Sequence, residues 1–156
     1  MTEITIDVVS DVMCPWCYIG KRRLEKALAR VEDVDIDIRW RPFQLDPSLP
    51  PEGRDRKQYL ENKFGGPERA QQIYSSIENA GKDENIDFKF SAIKVSPNTI
   101  DAHRVIRWSM NEGKDVHDRL VERLFQVFFL EGGHIGKHEV LVQACLLYTS
   151  PSPRDS

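Results

Sequence analysis

Asp11-Val12-Met13-Cys14-Pro15-Trp16-Cys17-Tyr18 joins a short apolar run to a basic, amphipathic segment, and carries two of only three cysteines in C-x-x-C spacing. Upstream, Ile4, Ile6, Val8 and Val9 make a β-branched run that reads as a buried strand. Ser10 and Asp11 end it. Cys14 then falls at a helix N-cap or just before it, and Pro15 in the first turn, where a missing N–H costs nothing. Ile19, Leu24, Leu28 and Val31 recur at helical spacing, with Lys21, Arg22, Arg23, Lys26 and Arg30 on a face read as solvated, or as favouring a thiolate or an anionic substrate. Residues 34–40 alternate Val34, Ile36, Ile38 and Trp40 with Asp35, Asp37 and Arg39, which predicts a second strand. Strand, helix and strand in this length make one right-handed βαβ unit.

The placement of the cysteines is what points to chemistry. A thiolate is the nucleophile in disulfide exchange, and an ordinary cysteine near pKa 8.5 is mostly protonated at neutral pH. Unpaired N–H groups at a helix start stabilise the anion. Cys14 is positioned to benefit, so the lowered pKa is expected there. Cys17 lies one turn on, and i, i+3 neighbours sit about 5–6 Å apart, a separation a disulfide tolerates. Cys14 is expected to attack a substrate disulfide and Cys17 to resolve the mixed disulfide. Pro15 sets the turn, and Trp16 shields one side and packs on substrate. The competing reading is zinc: His134 and His138 offer a second ligand pair, but more than a hundred residues separate them from Cys17, far outside finger spacing. No metal is expected.

Composition narrows the class. The chain has 156 residues, 40% hydrophobic and 30% charged, with net charge −3. That suits one soluble domain, or one with an insertion. It offers no basic field for nucleic acid and no apolar run long enough to span a membrane. The N-terminus carries acids where a secretory leader would carry Lys or Arg. A cytoplasmic location is therefore expected, where a C-x-x-C is catalytic or metal-binding more often than structural.

Beyond a proline-rich loop at 41–53 the pattern turns helical. Helices are expected at 54–64, ending at Gly65-Gly66, and at 67–80, ending at Gly81. Residues 87–95 take no assignment. Asn98 caps a helix running to about 111, 116–130 is strongly amphipathic, and a last helix starts near Lys137. His103 reads as a structural or surface histidine before a general base. Trp40, Phe43, Trp108, Phe125, Phe128 and Phe129 read as packing, some of them able to line a cleft beside Cys14. The final stretch, 145–156, ends in a Ser/Pro run resembling translated adapter read-through. It is expected to be a non-native tail replacing a longer natural chain, so Cys145 takes no role.

Three separated motifs carry a family resemblance: Val9-Ser-Asp-Val-Met-Cys-Pro-Trp-Cys-Tyr-Ile-Gly-Lys-Arg-Arg-Leu24, Arg39-Trp-Arg-Pro-Phe-Gln-Leu-Asp-Pro47 and Ser96-Pro-Asn-Thr-Ile-Asp-Ala-His-Arg104. Together they resemble the DsbA-like thioredoxin-fold oxidoreductases of the FrnE type, over residues 3 to about 144. The resemblance implies an α/β thioredoxin-like fold, its N-terminal βαβ part at 1–52 and an all-helical insertion at 53–144, with the last thioredoxin strands and their cis-proline loop missing. It implies a thiol–disulfide oxidoreductase or isomerase with Cys14 and Cys17 as the redox pair. No cofactor is implied beyond that redox-active disulfide, though glutathione is admissible as co-substrate. Disulfide-containing proteins or small thiols are the implied partners, and a homodimer is compatible with it. Among the matching residues, Trp40, Arg41, Phe43, Asn98 and His103 are the candidates for contacting substrate. The related 2-hydroxychromene-2-carboxylate isomerases and kappa-class glutathione transferases carry serine at the Cys14 position. A glutathione-dependent isomerase or transferase is thus the first alternative, and a zinc-binding module the second.

Overall fold

The structure, a computed structural model, describes residues 2–149. Strand β1 (Thr2–Ser10) and strand β2 (Val34–Pro42) pair in parallel, Thr2 opposite Val34 and Ser10 opposite Pro42. A parallel pair needs a crossover, supplied by helix α1 (Pro15–Leu28). Side chains alternate across the sheet. Val8, Ile38 and Trp40 share the face that joins the core, and the opposite face carries the ion pairs Asp7–Arg41 and Asp37–Arg39, each 3.2 Å.

The expectation that β1 is buried does not hold. Ile4 is exposed and Val9 is 63% exposed. Among the described residues this sheet has two strands, so the outer edge of β1 has no paired strand and its polar face is largely open. The edge of β2 is different, because a helix covers it.

That helix is α5 (Lys114–Phe129). The Trp40 N–H, on the β2 edge away from β1, donates to His117 Nε2 at 3.0 Å. His117 Nδ1 is then the protonated nitrogen, lying 2.9 Å from Ser109 Oγ and 3.1 Å from the Ile106 carbonyl. Edge donors buried without an acceptor are costly, and this histidine removes the cost.

The remaining elements are short strand β3 (Arg54–Asp55), helices α2 (Arg56–Phe64) and α3 (Pro67–Asp83), a 3₁₀ turn (Phe90–Ala92), short strand β4 (Val95–Ser96), and helices α4 (Ile100–Ser109) and α6 (His138–Thr149). β4 pairs antiparallel with β3, giving structure to part of the unassigned 87–95 segment. Gly65 ends α2 with φ 86°, as its sequence signal predicts. Gly81 does not end α3: the helix continues to Asp83, and Asn85, with φ 60°, follows its end. Gly81 is required for another reason, since a Cβ there would collide with the Phe88 ring. Helix α4 starts one or two residues later than Asn98, whose Oδ1 accepts the Ile100 N–H while its Nδ2 donates to the Leu49 carbonyl.

One core runs through all of this. Tyr18 of α1 stacks on Phe125 of α5 at 4.8 Å between ring centres, and Phe88, Phe128, Phe129 and Leu124 close around them. The basic face of α1 is not solvated throughout. Lys21 is only 2% exposed and lies 3.2 Å from Glu122, 3.3 Å from Glu25 and 3.5 Å from Asp118. Arg22 binds both Glu122 oxygens at 2.6 Å, and the Tyr18 hydroxyl donates to Glu122 at 2.8 Å. The reason is positional: this side of α1 meets the acids of α5, not water. Burial alone would raise the Glu122 carboxyl, but the Arg22 hydrogen bonds and the Lys21 charge hold it down to about 2. Helix α6 continues past Cys145 to Thr149, so the start of the segment expected as a non-native tail is helical; 150–156 lie outside the described residues.

Two outcomes follow from this packing. Gly81→Ala, which would stabilise an exposed helix, should here destabilise by about 1–3 kcal/mol through overpacking against Phe88, read as a shift in the urea midpoint. Burial lowers the His117 pKa, so below about pH 6.5 the unfolded chain takes a proton the folded chain resists. That contribution is intact above pH 6.5 and is lost as pH falls toward the folded value. His117→Gln should lower stability at pH 7.5 and shrink its acid loss between pH 7 and 5, measured by urea melts of both proteins.

Candidate active site

The loop between β1 and α1 is held by its backbone before any side chain acts. The Cys14 N–H donates to the Asp11 carbonyl at 3.0 Å, and the Cys17 N–H to the Cys14 carbonyl at 3.1 Å. Cys14 has extended φ/ψ of −94° and 114° at the N-cap, with Pro15 opening the helix. Buried Val12 behind the loop and buried Tyr18 and Ile19 ahead of it fix the angle of entry. Both cysteines are half-buried free thiols, and Trp16 between them is 49% exposed.

The two thiols share a hydrogen bond, and this decides their ionisation. The bond from Cys14 holds Cys17 down to about 6, helped by the Asp11 backbone and the Ser10 side chain and opposed by burial and the Asp11 charge. Cys14 is pushed up, first by that hydrogen bond and then by burial, although the N–H groups of Cys17 and Trp16 pull its pKa the other way. The pair therefore releases one proton below the ordinary thiol range and retains the other. The lowered ionisation expected at Cys14 is thus a property of the pair, one proton being shared between the two sulfurs.

The residues expected to contact substrate take different places. Phe43 is 52% exposed, and its N–H donates to the Ser10 carbonyl at 3.1 Å, which sets it beside the loop that precedes Cys14. Trp40 is buried in the core, with its ring edge-on to Phe125. Arg41 pairs with Asp7 on the polar sheet face. Asn98 is engaged with Leu49, Ile100 and Gln44. His103 is buried, its Nε2 3.1 Å from both Asp11 Oδ1 and the Phe43 carbonyl. Of the five, only Phe43 is exposed, and its backbone lies against the loop that precedes Cys14. His134 faces the Glu52 carbonyl and His138 faces Asp101, so the two point to separate partners. Among the described residues, no three His, Cys, Asp or Glu side chains are grouped to hold a metal ion. Cys145 is on α6, its thiol raised by burial.

Three residues near the pair were not singled out from sequence. Asp11 reads there as a strand terminator, yet it is 1% exposed and its Oδ2 accepts the Leu45 N–H at 2.8 Å. Ser10 faces Cys17. Tyr74 of α3 is half-buried against Arg56 and lies near enough to Cys14 for a thiolate there to raise its phenol. The one signal for Asp11 is an acid inside an otherwise apolar stretch.

The profile of the DSBA-like thioredoxin domain matches residues 5–147, and the chain belongs to that family. The uncharacterized protein YwbO of Bacillus subtilis (strain 168) is 27% identical over 146 residues, covering 90% of this chain and 64% of that protein. A probable DsbA oxidoreductase of Streptomyces coelicolor superposes with a TM-score of 0.80 at 24% identity, over 96% of this chain and 64% of that one. A protein proposed to be a disulfide isomerase, from Nitrosomonas europaea, gives 0.64 at 14% identity, over 97% and 68%. The chain thus spans about 64% of the length of the first two. These likenesses bear out the α/β thioredoxin-like fold. Among the described residues, no helix is long and apolar enough to cross a membrane.

The shared proton gives a direct outcome. Alkylation of the reduced protein, followed against pH by mass spectrometry, should show an inflection near 6. In Cys14→Ser and in Cys17→Ser the surviving thiol loses its thiol partner, and the inflection should rise toward about 8.5. Identical profiles in all three proteins would show that the thiols do not interact.

Proposed function

We propose that this member of the DSBA-like thioredoxin family is a thiol–disulfide oxidoreductase whose redox pair is Cys14 and Cys17. The observation that carries the reading is the placement of the two thiols together at the N-terminus of α1, which brings one ionisation down to about 6. Such a pair is largely a monoanion at neutral pH and can attack without an added base.

The steps follow from the two sulfurs. As Cys14 approaches a disulfide, the shared proton passes to Cys17, leaving the Cys14 thiolate near the N–H groups of Trp16 and Cys17. Cys14 Sγ bonds to one substrate sulfur, the substrate S–S bond breaks, and the leaving thiolate takes a proton. Cys17, deprotonated, attacks Cys14 Sγ and expels the second substrate thiol. In sum, two protein thiols become a disulfide and one substrate disulfide becomes two thiols; reversal oxidises a substrate dithiol. Trp16, exposed between the two cysteines, offers an apolar surface suited to a peptide flank or a small thiol. Disulfide-containing proteins or small thiols, glutathione among them, are the substrates we assign, in the cytoplasm and without metal; the FrnE type is the subtype the motifs resemble.

Incubating Cys17→Ser with a disulfide substrate should trap a mixed disulfide on Cys14, visible as a mass adduct and stable until reductant is added. Cys14→Ser should trap none at that position. Undiminished turnover in Cys17→Ser would sink the redox reading in favour of a glutathione-dependent isomerase or transferase.

A further inference from the structure

The strongest unassigned feature near the cysteines is a buried carboxylate with a histidine on it. Asp11 is 1% exposed and His103 5% exposed. Each Asp11 oxygen takes one hydrogen bond: Oδ2 from the Leu45 N–H at 2.8 Å, Oδ1 from His103 Nε2 at 3.1 Å. His103 Nε2 faces a second acceptor, the Phe43 carbonyl at 3.1 Å, so this nitrogen carries a proton and divides it between the two. The carboxylate is therefore only partly compensated. It also sits three residues before Cys14, whose N–H is tied to the Asp11 carbonyl. His103 reaches it from α4, more than ninety residues away in sequence.

We propose that Asp11 and His103 form a positioning pair that sets the balance of the Cys14–Cys17 site between thiolate and disulfide, the Asp11 charge disfavouring the thiolate and the His103 N–H moderating that charge. The inference rests on the reading of Cys14 and Cys17 as the redox pair. Repulsion between a buried carboxylate and a thiolate disappears when the thiols are oxidised, since a disulfide carries no charge. Asp11 thus favours the disulfide form, and whatever withdraws charge from Asp11 favours the thiolate. The Asp11 charge acts on Cys17 in the stated direction. Also facing the pair are Ser10 at the end of β1, uncharged, and Tyr74 on α3, whose phenol burial pushes up. His103 of α4 is therefore placed to adjust this field.

The sign of the effect separates this role from a merely structural one. Asp11→Asn removes the charge, and should move the alkylation inflection down by about one pH unit and make the disulfide more readily reduced by a glutathione redox buffer. His103→Leu removes the donor and leaves the charge stronger; it should move the inflection up and make the disulfide less readily reduced. His103→Gln restores an N–H donor and should lie close to wild type in both readouts. Loss of order alone would move Asp11→Asn and His103→Leu the same way. Shifts of the same sign, or none, overturn the proposal. If Asp11→Asn does not fold, an inflection raised in His103→Leu but close to wild type in His103→Gln still supports it, and coincidence of the two overturns it. Wild-type protein that forms no Cys14–Cys17 disulfide in the same buffer would overturn the redox reading and this inference with it.

Discussion

The location of Cys14 depends on helix α5 holding two elements at once. On one side Glu122 gathers Lys21, Arg22 and the Tyr18 hydroxyl, clamping α1 against α5. On the other, His117 accepts the Trp40 N–H and closes the edge of β2. A buried ion cluster is weakly stabilising in net terms, because desolvation offsets attraction. Its effect is on geometry. With three partners converging on one carboxylate, α1 has a single rotational setting that satisfies them all. The Tyr18–Phe125 stack supplies the apolar contact that the same setting requires. Rotating α1 would expose the stack and unpair Lys21 together, so the direction of its N-terminus is fixed from its buried face.

What could be read from the sequence was what is local. The C-x-x-C, Pro15 at the first helical position, the alternation in 34–40 and the glycine after Phe64 all act through neighbours a few residues away, and each appears where expected. The contents of the site were less legible. Lys21 looks like any solvated lysine until Asp118 and Glu122, about a hundred residues on, are brought beside it. Asp11 looks like a strand terminator until His103 and the Leu45 N–H converge on it. Gly81 looks like a helix stop, although its smallness serves the Phe88 ring. β1 looks buried because its composition is that of a covered strand, yet among the described residues only one neighbour pairs with it.

The ionisation of the cysteines shows why sequence position alone does not assign the low pKa to one sulfur. A helix start offers partial charge to the N-cap sulfur, which argues for Cys14. A second sulfur one turn away offers a full hydrogen bond, and a charge-assisted bond is the stronger of the two. Once the thiols are in contact, the question of which is acidic becomes a question about a pair with one proton. In the proposed oxidoreductase, the same contact makes the pair nucleophile and proton carrier in one, so the site needs no separate base on the sulfurs.

The character of that stabilisation follows from where the cations have gone. Lys21 and Arg22 are committed to Glu122, and Arg23 and Lys26 to Glu84. None of them is among the groups that act most on either thiol. The thiolate is held by a thiol, a hydroxyl and backbone N–H groups, against the Asp11 charge. Short-range dipoles in a half-buried site are little affected by mobile ions, whereas exposed charges a Debye length of about 8–10 Å apart are screened. The anion is thus governed by hydrogen-bond geometry at the start of α1, and through α1 by the buried contacts with α5 that orient it.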